Sequence, residues 1–542
     1  MRPLQYAISA NLPSLAWCAV LDSDQPSVLV RHGPWVETRD ESFVEGAWSG
    51  PYDDMGFSHA LTFTGSGGLL TADGLLCATS THSVEPLYVL RAGHQLHCSN
   101  TLPFVLASAH DDIDPNYRFY DVDLTSMAFG LGRHCSRIPT RRHNWVHLYY
   151  YCNILLSPDL SVHTQPKVQP RPFASFADYR ALLEDQVSQT LRNAADPRRI
   201  VSYRPLLTLS AGYDSPAASV LAMTAGCTEA ITFTAGRDRL DAESSDSGTL
   251  IGSLLGLDVT EYDPTSYQSR QDLPEAEFVA TGGGGGSVVF TAAEERLPGT
   301  ILLTGNYGGE AWERLNNKGG PGMVTFDSAG FDMIHFRTRV GFLYLAVASI
   351  GYSRFASIRR ITDSPEMRPW SLDRQEYDRP IPRRIVEEAG VPRQRFGQKK
   401  MAIARSLKYC DPYSIADPDL KSVMAPASYR DFQAWVQRQR LFTNPLDRFI
   451  FRTMHKIYRL NLRAIRSKKV RLAAQRVGIP LPNAPWVPIR FRKRRTEHRL
   501  LFHWGMHYMK ARYAEALSVA PLPSRGGQRG GDPVSASAEQ SH

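Results

Sequence analysis

Short apolar segments alternate with polar residues over about positions 1–165, as in Leu61-Thr62-Phe63-Thr64, Leu87-Tyr88-Val89-Leu90 and Val146-His147-Leu148-Tyr149-Tyr150. Gly, Asp, Asn and Pro separate these segments, and period-two alternation between such breaks predicts antiparallel strands. From about residue 175 the pattern changes. Pro205–Leu209, Ile231–Gly236 and Ile301–Thr304 read as short buried strands, while Pro216–Met223 and Glu243–Leu257 read as helices. Val340–Ile350, the longest mainly apolar run, is read as a core helix. Beyond residue 426 apolar positions recur at helical intervals among many Lys and Arg, with Arg448–Val477 the clearest case. Pro521–His542 is rich in Gly, Ser, Pro and Gln and is expected to be disordered. The chain therefore divides into 1–165, 175–425, a basic helical extension 426–520 and a tail.

Composition narrows the class. A chain of 542 residues exceeds one core and predicts two to four domains, and 42% apolar with 21% charged residues is ordinary for a globular protein. Seven cysteines are scattered without C-x-x-C spacing, which argues against a disulfide framework and a zinc site. No stretch reaches the roughly 18 apolar residues of a membrane span, and no basic leader with an apolar core opens the sequence. A cytoplasmic protein with no membrane partner is expected. The net charge of +8 and the run Arg490–Arg495 allow a nucleic acid or an anionic membrane surface as a partner, but no recognisable binding module accompanies them, so a solvated helical face is the preferred reading.

Chemistry concentrates at Ser210-Ala211-Gly212-Tyr213-Asp214-Ser215, a small-residue turn between a strand-like and a helix-like run. Such a turn points backbone N–H groups at one spot, as a phosphate requires. Ser210 and Ser215 offer hydroxyls, Gly212 permits close approach, and Asp214 offers a carboxylate to a Mg²⁺ that bridges phosphates. The turn lacks the Gly-Lys-Ser/Thr of a Walker A loop and the G-x-G-x-x-G of a dinucleotide fold.

These residues resemble the S-G-G-x-D-S pyrophosphate loop of the N-type ATP pyrophosphatases, with Ala211 in place of the first Gly. Tyr213-Asp214-Ser215 is most similar to the asparagine synthetase and β-lactam synthetase branch. Further segments resemble that family in the same order: Ile231–Gly236, Leu254-Leu255-Gly256, Ile301–Glu310, Glu366–Asp373 and Lys399-Lys400. The resemblance implies a parallel-sheet α/β ATP-pyrophosphatase domain, of the adenine nucleotide alpha hydrolase-like class. It follows an antiparallel α+β sandwich-like domain. The implied activity is an AMP-forming amide ligase with ATP and Mg²⁺, which adenylates a small-molecule or peptide carboxylate and passes it to ammonia or an amine. Such an enzyme must hold pyrophosphate, neutralise departing charge and exclude water from an acyl-adenylate.

By position in the resemblance, Ser210, Gly212, Asp214 and Ser215 hold pyrophosphate and the metal, and backbone at Thr208, Ala235 and Gly305 holds adenosine. Lys399 or Lys400 stabilises late charge; the register leaves both open. The family's Gly-Glu-Gly-Ser-Asp-Glu run is replaced at Asn306-Tyr307-Gly308-Gly309, so the second carboxylate is missing at Gly309, and Asp214 is expected to suffice. β-Lactam synthetases use a Tyr–Glu pair to deprotonate an amine, and Tyr307 with Glu366 is the candidate pair, provided that they face each other. The alternative for Tyr307 is a packed turn aromatic.

Cys98–Ala107 resembles the segment that closes the sheet of glutaminase-type N-terminal domains. That class needs Cys as its first mature residue. The chain opens Met1-Arg2, so a sandwich without amide hydrolysis is expected, and Cys18 reads as a core residue. Gly282–Gly286 is read as a loop over an acceptor pocket or a mobile surface connection. Asp378–Arg384 with Gly390–Arg393 is read as an Arg/Pro clamp for a carboxylate or phosphate, or as plain surface charge. β-Lactam-like or peptide and glycan amide formation and a non-catalytic nucleotide-binding relative remain alternatives, with RNA adenylation ranked last. Oligomeric state is left open, a homodimer included.

Overall fold

The structure is a computed structural model that describes residues 2–132, 134–234, 246–314, 328–372, 377–398, 407, 420–439, 445–467, 469, 470, 473 and 496–519. The N-terminal alternation becomes thirteen strands. β1 (Leu4–Ile8), β2 (Trp17–Asp22), β3 (Val28–His32), β4 (Glu37–Arg39), β5 (Ser42–Trp48) and β6 (Phe63–Thr71) come first, followed by β7 (Gly74–Ala78), β8 (Leu87–Ala92) and β9 (Gln95–Ser99). β10 (Arg137–Pro139), β11 (Trp145–Tyr149), β12 (Cys152–Leu156) and β13 (Val162–Pro166) complete the set. They form a seven-stranded sheet in the order β1-β3-β2-β9-β8-β11-β10 and a six-stranded sheet in the order β13-β12-β7-β6-β5-β4. Trp17, Leu21 and Cys98 of one sheet meet Phe43, Leu75, Cys77 and Ile154 of the other in a shared core. Period-two side chains put one face of each sheet into that core. The outer faces are covered by the helices Leu102–Ser108 and Phe176–Ala194.

The second unit is built on a five-stranded sheet: β14 (Arg204–Thr208), β15 (Glu229–Phe233), β16 (Asp258–Tyr262), β17 (Thr300–Thr304) and β18 (Leu343–Ala346). Every pair in it is parallel, and the order is β16-β15-β14-β17-β18. β17 and β18 are buried along their whole length, as strands covered on both faces must be. The expected helix over Val340–Ile350 is therefore corrected. Leu343–Ala346 is a strand, because an unbroken apolar run fits a central parallel strand as well as a buried helix.

Two further expectations change. Gly282–Gly286 is neither a surface connection nor a mobile loop but buried backbone: a Cβ on Gly282 would sit 2.8 Å from Leu124 Cβ, and one on Gly285 2.8 Å from Leu407 Cδ1. The helix Thr496–Ser518 is not a solvated appendage. Leu501, Phe502, Trp504, Met506, Met509 and Tyr513 are buried, and the helix lies between Leu102–Ser108 of the first unit and Pro274–Val279 of the second. Gly505 is required there, since a Cβ would come within 2.5 Å of the Ala276 carbonyl oxygen. A buried ion network adds a polar tie between the units. Arg337 donates to Glu45 (2.8 Å) and its guanidinium forms an ion pair with Glu85 (2.6 Å), and the Glu45 carboxylate also accepts from Ser66 (2.7 Å). Removing one member would leave an uncompensated buried charge. Cys18 is fully buried, and burial pushes its thiol up to about 12, so it is a core residue and not a nucleophile.

Candidate functional site

The strand order reverses between β14 and β17, and the connections leaving their carboxyl ends diverge there. In open parallel sheets that divergence leaves a crevice outside the strand ends. Ser210–Ser215 leaves β14 at this point and runs into the helix Asp214–Met223. Backbone contacts fix its path on three sides: Ala211 N–H donates to the Asp246 carbonyl (3.1 Å), Ser210 bridges Ser247, and Gly397 N–H donates to the Ala211 carbonyl (2.8 Å). Within the turn, Ser210 Oγ lies 2.8 Å from Ser215 Oγ and accepts from Gly212 N–H at 3.2 Å. Thr208 donates to the Leu303 carbonyl at 3.3 Å and ties the strand end to β17.

Tyr213, the one large side chain of the turn, faces inward and is fully buried. Its ring lies 4.7 Å from that of Tyr377 and 5.9 Å from that of Phe396, with the Arg383 guanidinium 5.0 Å from its centroid. Gly397 has φ +62°, and a Cβ there would sit 2.3 Å from the Tyr213 ring. The aromatic thus anchors the turn while its small residues face the strand ends.

Asp214 opens the helix with a divided carboxylate. Oδ2 accepts from Arg379, whose Nε also donates to Glu313 at 2.9 Å; Oδ1 is buried and has no hydrogen-bond partner. An orphaned carboxylate oxygen at a helix N-terminus is a donor set suited to a hard cation. The turn after β17 closes on the same group. A Cβ on Gly305 would lie 2.3 Å from Ser215 N, and one on Gly308 2.2 Å from Asp214 Cγ. Gly309 stands 3.3 Å, measured from an added Cβ, from the Arg379 guanidinium. Arg379 is 4% exposed at its side chain. Burial disfavours its charge, but the charges of Asp214 and Glu313 outweigh that and hold it protonated.

Residues that the sequence reading did not single out complete the surroundings. Asp246 is buried, and burial raises its carboxyl to about 6. Tyr377 stands close enough to Asp214 and Asp246 for both charges, after burial, to raise its hydroxyl. Tyr307 and Tyr377 both carry positive φ (73° and 58°), a conformation costly for aromatic residues that gathers at over-determined sites. Arg379 lies inside the Arg/Pro segment already flagged; no sequence signal marks Asp246, Glu313 or Tyr377.

The candidate base pair is not brought together. Tyr307 is buried, and its hydroxyl accepts from Ser83 N–H at 2.7 Å and lies 3.0 Å from Ser83 Oγ, in the N-terminal unit. Glu366 sits on the surface, its side chain 46% exposed, paired with Arg384 at 2.6 Å. A buried phenol and a surface carboxylate with separate partners do not exchange a proton. Gly212, Gly305, Asp214, Ser210, Ser215 and Thr208 do gather at the β14–β17 divergence. Ala235, Lys399 and Lys400 lie outside the described residues, although Gly397-Gln398 brings the chain beside Ala211. Among the described residues the one three-ligand grouping of metal-binding type is Asp22, Asp24 and His94, at the surface of the first unit.

In comparisons with known proteins, no family model matches the chain and no curated protein is significantly similar to it. Among the described residues no helix is long and apolar enough to cross a membrane.

Proposed function

We propose that the chain is an ATP-dependent, AMP-forming amide ligase of the asparagine synthetase type, which adenylates a carboxylate and passes it to ammonia or an amine. The observation that carries this reading is the Ser210–Ser215 turn at the β14–β17 divergence, with Asp214 Oδ1 unpartnered and Gly305 and Gly308 pressed against it. Glycine at those positions lets the turn after β17 close directly on Ser215 and Asp214, and two backbone turns converging on one helix N-terminus suit a polyphosphate. Asp214 would hold Mg²⁺, and Ser210, Gly212 and Ser215 would hold pyrophosphate. Bound there, Mg²⁺ would supply charge neutralisation as pyrophosphate departs. Arg379, kept charged by Asp214 and Glu313, adds a fixed cation to the same wall without any rearrangement. The base that takes the amine proton is not assigned to Tyr307 or Glu366, given their separate partners.

A nucleotide-binding relative without turnover is the second reading. It is favoured by the pairing of Asp214 with Arg379 and by glycine at position 309. ATP–pyrophosphate exchange against aspartate and a panel of carboxylates decides between them. Exchange supported by a cognate acid, and lost at least about 100-fold in Asp214→Asn, is the expected outcome. ATP binding with no exchange by any acid selects the second reading.

A further inference from the structure

A cleft of about 410 Å³ opens between Asp112–Pro115 with Arg141 on one side and the helices Pro426–Arg438 and Thr496–Ser518 on the other. Its size falls within the range of small-molecule sites, and none of the residues at the β14–β17 divergence lines it. His503, His507 and Lys510 follow one face of the last helix, and the short side chains of Ala511 and Ala514 leave room beside them.

The hydrogen-bonding balance of the wall is one-sided. Its single carboxylate, Asp112, is already engaged: Oδ1 accepts from Ile113 N–H at 2.9 Å and Oδ2 pairs with Lys510 at 2.8 Å. His503 Nε2 lies 3.1 Å from the Tyr117 carbonyl oxygen. Donors remain over. The exposed Arg141 guanidinium and His507 ring have no hydrogen-bond or ion-pair partner among the described residues, and Trp435 Nε1 is buried without one. Trp435 and His507 also stand ring to ring, with centroids 6.3 Å apart. Excess donors and cations around an aromatic wall are satisfied by a ligand that brings negative charge on an apolar body.

We propose that this cleft is a second binding site, for a small molecule carrying a carboxylate or phosphate group. Arg141 and His507 take the anion, and Trp435 with Ile113 and Pro115 takes the apolar part. The test is calorimetric titration of the full chain with phenyl phosphate, benzoate and uncharged benzyl alcohol. Saturable binding of at least one of the two anions is expected, with benzyl alcohol silent. The anion that binds names the preferred group. Arg141→Gln and His507→Ala should each weaken it about tenfold. Both side chains are exposed, so the melting temperature should stay unchanged and confirm folding. Asp214→Asn should bind as the parent does, which separates this cleft from the proposed nucleotide turn. The proposal is overturned if neither anion binds, if benzyl alcohol binds equally well, if either cleft variant titrates like the parent, or if Asp214→Asn abolishes the signal.

Discussion

The turn after β17 and the segment Pro365–Trp370 were matched by resemblance to two halves of one proton-transfer pair, yet they are opposite kinds of environment. Tyr307 is locked: positive φ, a buried hydroxyl held by Ser83, and a following glycine with no room for a methyl group beside Asp214. Glu366 is a surface carboxylate that shares Arg384 with Glu388. The difference teaches that order in sequence can place two residues near one site while burial separates their roles. The locked side shapes the turn around Asp214; the exposed side is held by Arg384 instead.

The comparison breaks or sharpens through four substitutions, taken from the largest effect. Gly308→Ala puts a carbon 2.2 Å from Asp214 Cγ, so nucleotide-dependent exchange should fall at least about 100-fold; wild-type rates would show that the turn is not rigid. Asp246 comes next. An acid held at about 6 when folded, well above the ordinary aspartate value of about 3.9, binds its proton more tightly in the folded state. Its contribution to stability is therefore full below about pH 4 and is lost as pH rises through about 6, by up to about 3 kcal/mol. Asp246→Asn should flatten that slope in urea melts taken between pH 4 and 7.5, and an unchanged slope would remove Asp246 from the buried set.

Tyr307→Phe leaves the buried Ser83 N–H without the hydroxyl it donates to, and should lower stability by about 1–3 kcal/mol in the same melts. No change would unlock that side. Glu366→Gln comes last: stability should move by no more than about 0.5 kcal/mol and exchange should stay within twofold. A tenfold loss of exchange would return Glu366 to the chemistry and undo the contrast.

Much of the fold was legible because patterning is local. Alternation announced the sandwich strands, and the apolar run Pro205–Leu209 before Ser210–Ser215 announced the strand–turn–helix on which the candidate site rests. The misreadings come from tertiary context. Phe342–Ala348 has no polar residue at regular intervals to reveal a period, so only its neighbour β17 makes Leu343–Ala346 a strand. Gly282–Gly286 looks like a linker by composition; its burial depends on Leu124 and on position 407, each distant in sequence. The basic charge beyond residue 426 suggested a solvated surface, yet Thr496–Ser518 is apolar on nearly every side that its neighbours touch. At the site, Asp214 and its glycine partners were legible as a motif. Arg379 was legible only as one member of an Arg/Pro segment, and Glu313 and Asp246 were not legible, because contacts between residues more than 30 positions apart leave no periodic trace.

The position of Thr496–Ser518 has a consequence for biogenesis. Phe104, near the start of the chain, stacks on Tyr513 with ring centroids 4.9 Å apart, so a ribosome must add about four hundred residues before that apolar surface is covered. Until then the sandwich carries an unsealed patch, and closing so long a loop is an entropically late event. Cellular quality control therefore has its longest window on this chain before Thr496–Ser518 docks, and removal of that helix should yield aggregates and not two working halves.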